Sequence, residues 1–146
     1  MNIAFIDLKQ QQTRIRAKIE AGLSAVLDHG AYIMGPEVSA LENRLGQWTG
    51  AAHNISCSSG TDALLLALYG LELQPGQGVI VPSFTFAASA EVMPVLGAVP
   101  IFAEVEANSF NLDPSKLDSA LAAGQAANID VVGIIGVGLF GQPANY

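Results

Sequence analysis

The run Cys57-Ser58-Ser59-Gly60-Thr61-Asp62 sets three hydroxyls around a glycine, immediately before a stretch with apolar residues at helical spacing. The first amides of a helix have no intrahelical acceptor and carry about half a positive charge, so such a turn attracts anions. Gly60 lets the backbone approach a ligand closely, and the hydroxyls can donate to phosphate oxygens. The plainer alternative is a cap, because Ser, Thr and Asp all cap helices without any ligand. A cap needs one hydroxyl, whereas three flank this glycine.

A second loop, Pro82-Ser83-Phe84-Thr85-Phe86, follows the apolar run Val79-Ile80-Val81. In an open parallel sheet, ligands bind beyond the carboxyl ends of the strands, so the two loops are expected to share an edge. Phe86 could stack there on a flat heterocycle, or anchor the following helix in the core. Gly136-Val137-Gly138-Leu139-Phe140-Gly141 matches G-x-G-x-x-G literally. Pro143 stands where the helix of a dinucleotide site would be under way, so this reads as a chance match. No G-x-S-x-G or serine–histidine pattern is present, and Lys9, Lys18 and Lys116 read as solvated.

The elements that must position these loops follow from periodicity. Ile15, Ile19, Leu23, Val26 and Leu27 predict a helix over 9–29 that Gly30 stops. Pro36 opens a second, with Val38, Leu41, Leu45 and Trp48 on one stripe before Gly50. Strand and helix then alternate: strands at 53–57, 79–81, 99–102 and 131–137, and helices at 62–71, 87–96 and 117–123. That alternation implies an α/β fold, a mostly parallel sheet flanked by helices with right-handed crossovers. The domain organisation expected is a helical segment over 1–50 and a partial α/β domain over 51–146. The last strand is β-branched and nearly continuous, as a strand buried on both faces should be. No covering helix follows it, so the chain is expected to be part of something longer, or to have that face covered by a partner. A small domain with this strand in mid-sheet is the alternative.

Composition excludes several classes. With 146 residues, 51% hydrophobic and 13% charged, the chain is one folded domain and not a disordered one. Six basic against thirteen acidic residues give a net charge of −7, which argues against nucleic acid as a partner. Cys57 stands alone and His29 and His53 lack ligand spacing, so neither disulfides nor a metal site are expected. The start Met1-Asn2-Ile3-Ala4-Phe5 has no basic region followed by an apolar run, and the 131–140 stretch is too short to span a bilayer. No membrane association is expected, and the cytoplasm is the expected compartment.

Taken together and in order, several segments resemble the N-terminal part of the DegT/DnrJ/EryC1/StrS family of pyridoxal-phosphate-dependent sugar aminotransferases. They are Phe5-Ile6-Asp7-Leu8 with Gln10-Gln11, Tyr32-Ile33-Met34-Gly35-Pro36-Glu37-Val38, Ser59-Gly60-Thr61-Asp62-Ala63-Leu64, Val79-Ile80-Val81-Pro82 into Phe84-Thr85-Phe86, Phe110-Asn111-Leu112-Asp113-Pro114, and Leu139-Phe140-Gly141-Gln142. Gly138, Gln77-Gly78, Glu104 and Glu106 depart mildly from the family's pattern.

The resemblance implies a fold-type I large domain and pyridoxal 5′-phosphate as cofactor. Ser59, Gly60, Thr61 and Asp62 would form its phosphate cup and Phe86 would stack on its ring, while residues 32–35 match a stretch near the nucleotide-sugar site. It further implies transfer of an amino group from an amino acid, glutamate by expectation, to a nucleotide-linked keto sugar. The pattern most resembles members acting on UDP-linked 3-keto sugars in surface-polysaccharide synthesis, working as homodimers. The family's aldimine-forming lysine and the acidic partner of the pyridine nitrogen match positions beyond Tyr146, so no catalytic residue is assigned here and the chain alone is expected to be inactive. Two alternatives stand beside this: a sugar dehydratase of the same family, with histidine in place of that lysine, and a non-catalytic phosphate- or nucleotide-binding module.

Overall fold

The computed structural model describes residues 5–146; Met1–Ala4, part of the reading of the chain's start, lie outside the described residues. Two compact units divide between Ser56 and Cys57.

The first unit carries helices α1 (Leu8–His29) and α2 (Pro36–Thr49). Asp7 caps α1 by accepting the Gln10 amide at 2.9 Å. Gly30 and Gly50 end the two helices in the left-handed conformation, at φ 66° and 77°, where glycine alone pays no Cβ penalty. Both boundaries fall where the sequence puts them. The turn between the helices is pinned by His29, whose Nδ1 accepts the Ala31 amide at 3.0 Å. Its Nε2 must then carry the hydrogen, and it lies 3.1 Å from the Glu37 carboxylate. No residue of either helix is buried within the chain, although the apolar stripes are present as expected.

The strand expected at 53–57 is not formed. Its residues run as irregular chain, and Glu42 on α2 accepts both the amide and the hydroxyl of Ser56 at 2.8 Å. A strand exists only by pairing, and five residues with period-two alternation do not supply a partner.

The second unit is α3 (Gly60–Gly70), β1 (Gly78–Pro82), α4 (Ala88–Val95), β2 (Val99–Ala103), α5 (Leu117–Ala126) and β3 (Val131–Ile134). The strands form a parallel sheet in the order β2-β1-β3. Central β1 is buried along its whole length, pairing Gly78 to Pro82 with Val99 to Ala103 on one side. On its other side Gly78 faces Val131 and Ile80 faces Ile134, with a register slip after Gly78.

Side-chain alternation along β1 divides the core into two layers. Val79 and Val81 pack with Leu68 of α3 and Val92 and Met93 of α4. Ile80 packs on the opposite face with Ile101, Ala103, Leu112 and Ala120 of α5. Ile80, Val81 and Met93 are fully sequestered, each contributing about 1.5–3 kcal/mol of transfer free energy. Gly124 lets α5 approach the sheet, since a Cβ there would stand 2.5 Å from Val131 Cγ2 and 2.9 Å from Ile101 Cδ1.

Two expectations are corrected here. β3 stops at Ile134 and is not buried on both faces: Val132 and Ile134 are 48% and 50% exposed. Among the described residues it lies at the edge of the three-stranded sheet, with β1 alone beside it. The broad apolar face of α3 is likewise mostly uncovered. Only Leu68 is buried, while Leu71 with Val132 and Ile134 lines an apolar groove of about 620 Å³ between α3 and β3. Among the described residues no helix is long and apolar enough to cross a membrane.

Candidate functional site

Ser59 begins α3 as its N-cap, its backbone extended and its Oγ accepting the Asp62 amide at 3.1 Å. Its carbonyl accepts the Ala63 amide at 3.0 Å. That leaves the N–H groups of Gly60 and Thr61 without an intrahelical acceptor, at the positive end of the helix dipole. A Cβ built on Gly60 meets nothing within 4 Å, so neither crowding nor a left-handed backbone in the folded chain requires glycine there. The space a side chain would fill there is open.

The hydroxyls divide their work. Ser58 and Ser59 both donate to the Asp62 carboxylate, the latter at 3.0 Å. The hydrogen bonds from Ser58 and then Ser59 hold the Asp62 carboxyl below its ordinary range. Both serine hydroxyls are therefore committed within the turn, and the Thr61 hydroxyl makes no side-chain hydrogen bond among the described residues. Cys57 is exposed, its thiol against the Ser59 carbonyl at 3.3 Å.

Chain direction determines which edge these groups occupy. From its C-terminus α3 turns through residues 71–77 into the start of β1, and Leu68 packs back on Val79 and Val81. Eleven residues of helix, about 16 Å, match the five-residue strand, so the N-terminus of α3 lies toward the end where β1 finishes. From that same end the loop 83–87 leads into α4. Phe86 sits there 76% exposed, its carbonyl accepting the Ser89 amide at 3.0 Å. The neighbouring Thr85 hydroxyl pairs with Ser89 at 3.1 Å. Phe86 is thus not a core anchor in this chain.

The sheet order adds a second reason for a site at this edge. The chain passes from β1 to β2 on one side and then back to β3 on the other. Such a reversal separates the loops beyond the strand ends and leaves a crevice there, where ligands bind in open α/β sheets. Behind the G-x-G-x-x-G match there is only a 3₁₀ turn, Leu139–Gly141, and no dinucleotide helix.

Residues that the chemistry-led reading of the sequence passed over also gather here. Phe110 lies between Phe84 and Phe140, with ring centroids 5.6 Å and 6.1 Å away. Asn111 is 4% exposed; its Oδ1 accepts the Leu139 amide at 3.0 Å, and its Nδ2 donates to the carbonyls of Gln142 and Pro143. A polar residue set between Phe110 and Leu112 was the available signal.

Comparison with known proteins gives a consistent outcome. The profile of the DegT/DnrJ/EryC1/StrS aminotransferase family matches residues 13–146. The chain is 46% identical over 144 residues to the UDP-2-acetamido-2-deoxy-3-oxo-D-glucuronate aminotransferase of Pseudomonas aeruginosa, covering 99% of this chain and 38% of that protein. Among solved structures, a DegT DnrJ EryC1 StrS aminotransferase from Brucella abortus superposes with a TM-score of 0.93 at 43% identity, over 99% of this chain and 39% of that one. The Streptomyces venezuelae protein DesV, solved in complex with a ketimine intermediate, superposes at 0.89 with 35% identity, over 98% and 37%. The chain therefore spans about two fifths of the length of the relatives it matches.

Proposed function

Because this chain belongs to the DegT/DnrJ/EryC1/StrS aminotransferase family, we propose that it is the N-terminal part of a pyridoxal-phosphate-dependent enzyme that moves an amino group from an amino acid, glutamate foremost, to a nucleotide-linked keto sugar. The observation that carries this reading is the pair of uncommitted amides at Gly60 and Thr61, on the edge from which the exposed Phe86 projects. The name of the Pseudomonas aeruginosa relative points to a UDP-linked 3-keto sugar; surface-polysaccharide synthesis is the setting we propose for such a substrate. The same name also favours transamination over dehydration. The working form is a cytoplasmic homodimer, in a compartment where the free Cys57 stays reduced.

The residues fit the group. The amides of Gly60 and Thr61 and the Thr61 hydroxyl would hold the phosphate, and the open position at Gly60 admits its oxygens. Ser59 would serve by capping α3, fixing the direction of those amides. Asp62 puts a carboxylate near a dianion, an unfavourable pairing that the two serine donors moderate. Phe86 would cover one face of the pyridine ring and shield it from water. The cofactor, when bound, supplies the electron sink.

Gly60→Pro tests the cup directly. Gly60 is the first helical residue, where proline is best tolerated, so the substitution removes one free amide and spares the helix. The expected result is at least tenfold weaker pyridoxal 5′-phosphate binding in an absorbance titration, with the melting midpoint nearly unchanged. Unchanged binding would contradict the reading. Tighter binding of NAD or a nucleotide sugar than of pyridoxal 5′-phosphate would favour the non-catalytic module instead.

A further inference from the structure

We propose that Phe110 and Asn111 are a positioning pair that fixes the two loops flanking the cofactor cup, one after β1 and one after β3; this rests on the reading of that cup given above. The pair is presented by a short hairpin beyond β2, in which Val105 bridges Leu112. Its turn is closed by the Phe110 amide donating to Glu106 and the Glu106 amide donating to Asn111, each at 2.9 Å. The Ser109 hydroxyl donates to the Glu106 carboxylate at 2.6 Å. The turn is closed by its own hydrogen bonds, without help from either loop.

β1 stands between β2 and β3 in the sheet, so nothing in the strand pairing requires their following loops to meet. Asn111 nevertheless reaches across the end of β1 to residues 139–143. Both of its amide hydrogens and its oxygen are used on that one segment, which lies 28 to 32 residues away in sequence. A buried carboxamide satisfied this way becomes costly as soon as the segment moves, so the segment stays. Phe110 extends the same fixation to the other loop through its ring contacts with Phe84 and Phe140.

Two features separate this from ordinary core packing. Phe110 and Phe140 both hold left-handed backbones, at φ 59° and 55°, a conformation bulky residues adopt only under constraint. Phe84 and Phe140 are 50% and 80% exposed, and none of the three rings belongs to either core layer. These two left-handed residues and the ring contacts lie at the ligand edge, where they set the loop carrying Phe86.

The test is amide hydrogen exchange on the unliganded 146-residue chain, followed by titration with pyridoxal 5′-phosphate. Asn111→Asp keeps the acceptor for Leu139 but sets an anion against two carbonyl oxygens. It should raise exchange at least tenfold at Gln142 in one loop and at Ser83 and Ser89 bracketing the other, while Val79 to Val81 hold within twofold. Phe110→Leu, which leaves the Asn111 bonds in place and guards against a misfolded first variant, should loosen Ser83 and Ser89 more than Gln142, which Asn111 still holds. Each variant should weaken pyridoxal 5′-phosphate binding at least fivefold. Unchanged exchange at Ser83 and Ser89, an equal rise along β1, or loosened loops with unaltered affinity would each overturn the proposal. Failure of the parent chain to bind the cofactor would sink the cup alone, since exchange decides the coupling of the loops without any ligand.

Discussion

Asp62 illustrates how much one side chain can reveal at the mouth of a helix. Its carboxyl is held below the ordinary range by the hydroxyls of Ser58 and Ser59. A depressed folded-state value means that the stabilisation is present above the unfolded carboxylate range and is lost as pH falls through the folded value. Asp62→Asn should therefore flatten part of the acid limb of a stability–pH profile, measured as the urea midpoint between neutral and strongly acidic pH. Ser59→Ala should cost about 1 kcal/mol through loss of the cap. Phe86→Ala should change folding stability by less than about 0.5 kcal/mol, because the ring is exposed, yet weaken pyridoxal 5′-phosphate binding several-fold. The hydroxyl-rich turn and the aromatic loop were legible in sequence because their residue types are few and local. The assignment of each hydroxyl was not. That Ser58 and Ser59 turn inward to Asp62 depends on side-chain geometry, as does the carboxamide of Asn111 spanning to residues 139–143.

At the level of elements, helices were read more faithfully than strands. Glycine and proline stops carry their own conformational physics, so α1 and α2 end where Gly30 and Gly50 allow. A strand's existence depends on a neighbour that local sequence does not contain, which is why 53–57 is irregular and β3 is half exposed. Contact between α5 and the sheet rests on Gly124, and Gly124→Ala should destabilise the second unit by about 1–3 kcal/mol in a denaturant titration. The damage would fall on the layer opposite α3, so a ligand cup formed by α3 and the loop after β1 should keep its affinity while the fold remains populated.

Across the whole molecule, apolar surface lies open in both units. No residue of α1 or α2 is buried within the chain, and the groove between α3 and β3 is lined mainly by leucine, valine and isoleucine, with Glu72, Gln74 and Gln77 at one end of α3. Exposed patches of this kind bind hydrophobic dyes and promote association. Ile134→Thr should lower dye fluorescence without lowering stability appreciably, because half of that side chain already faces water. The mean hydropathy of +0.40 agrees with an uncovered apolar face, whose location beside α3 depends on the sheet order. The measurement that bears most directly on the central claim is an NMR titration of the 146-residue chain with pyridoxal 5′-phosphate, following the Gly60 and Thr61 amides and the Phe86 ring. All three signals should move along one saturation curve, with inorganic phosphate shifting only the amides. A cofactor-induced shift at Phe86 that leaves both amides unmoved, or separate curves for ring and amides, would show that no single small molecule joins them.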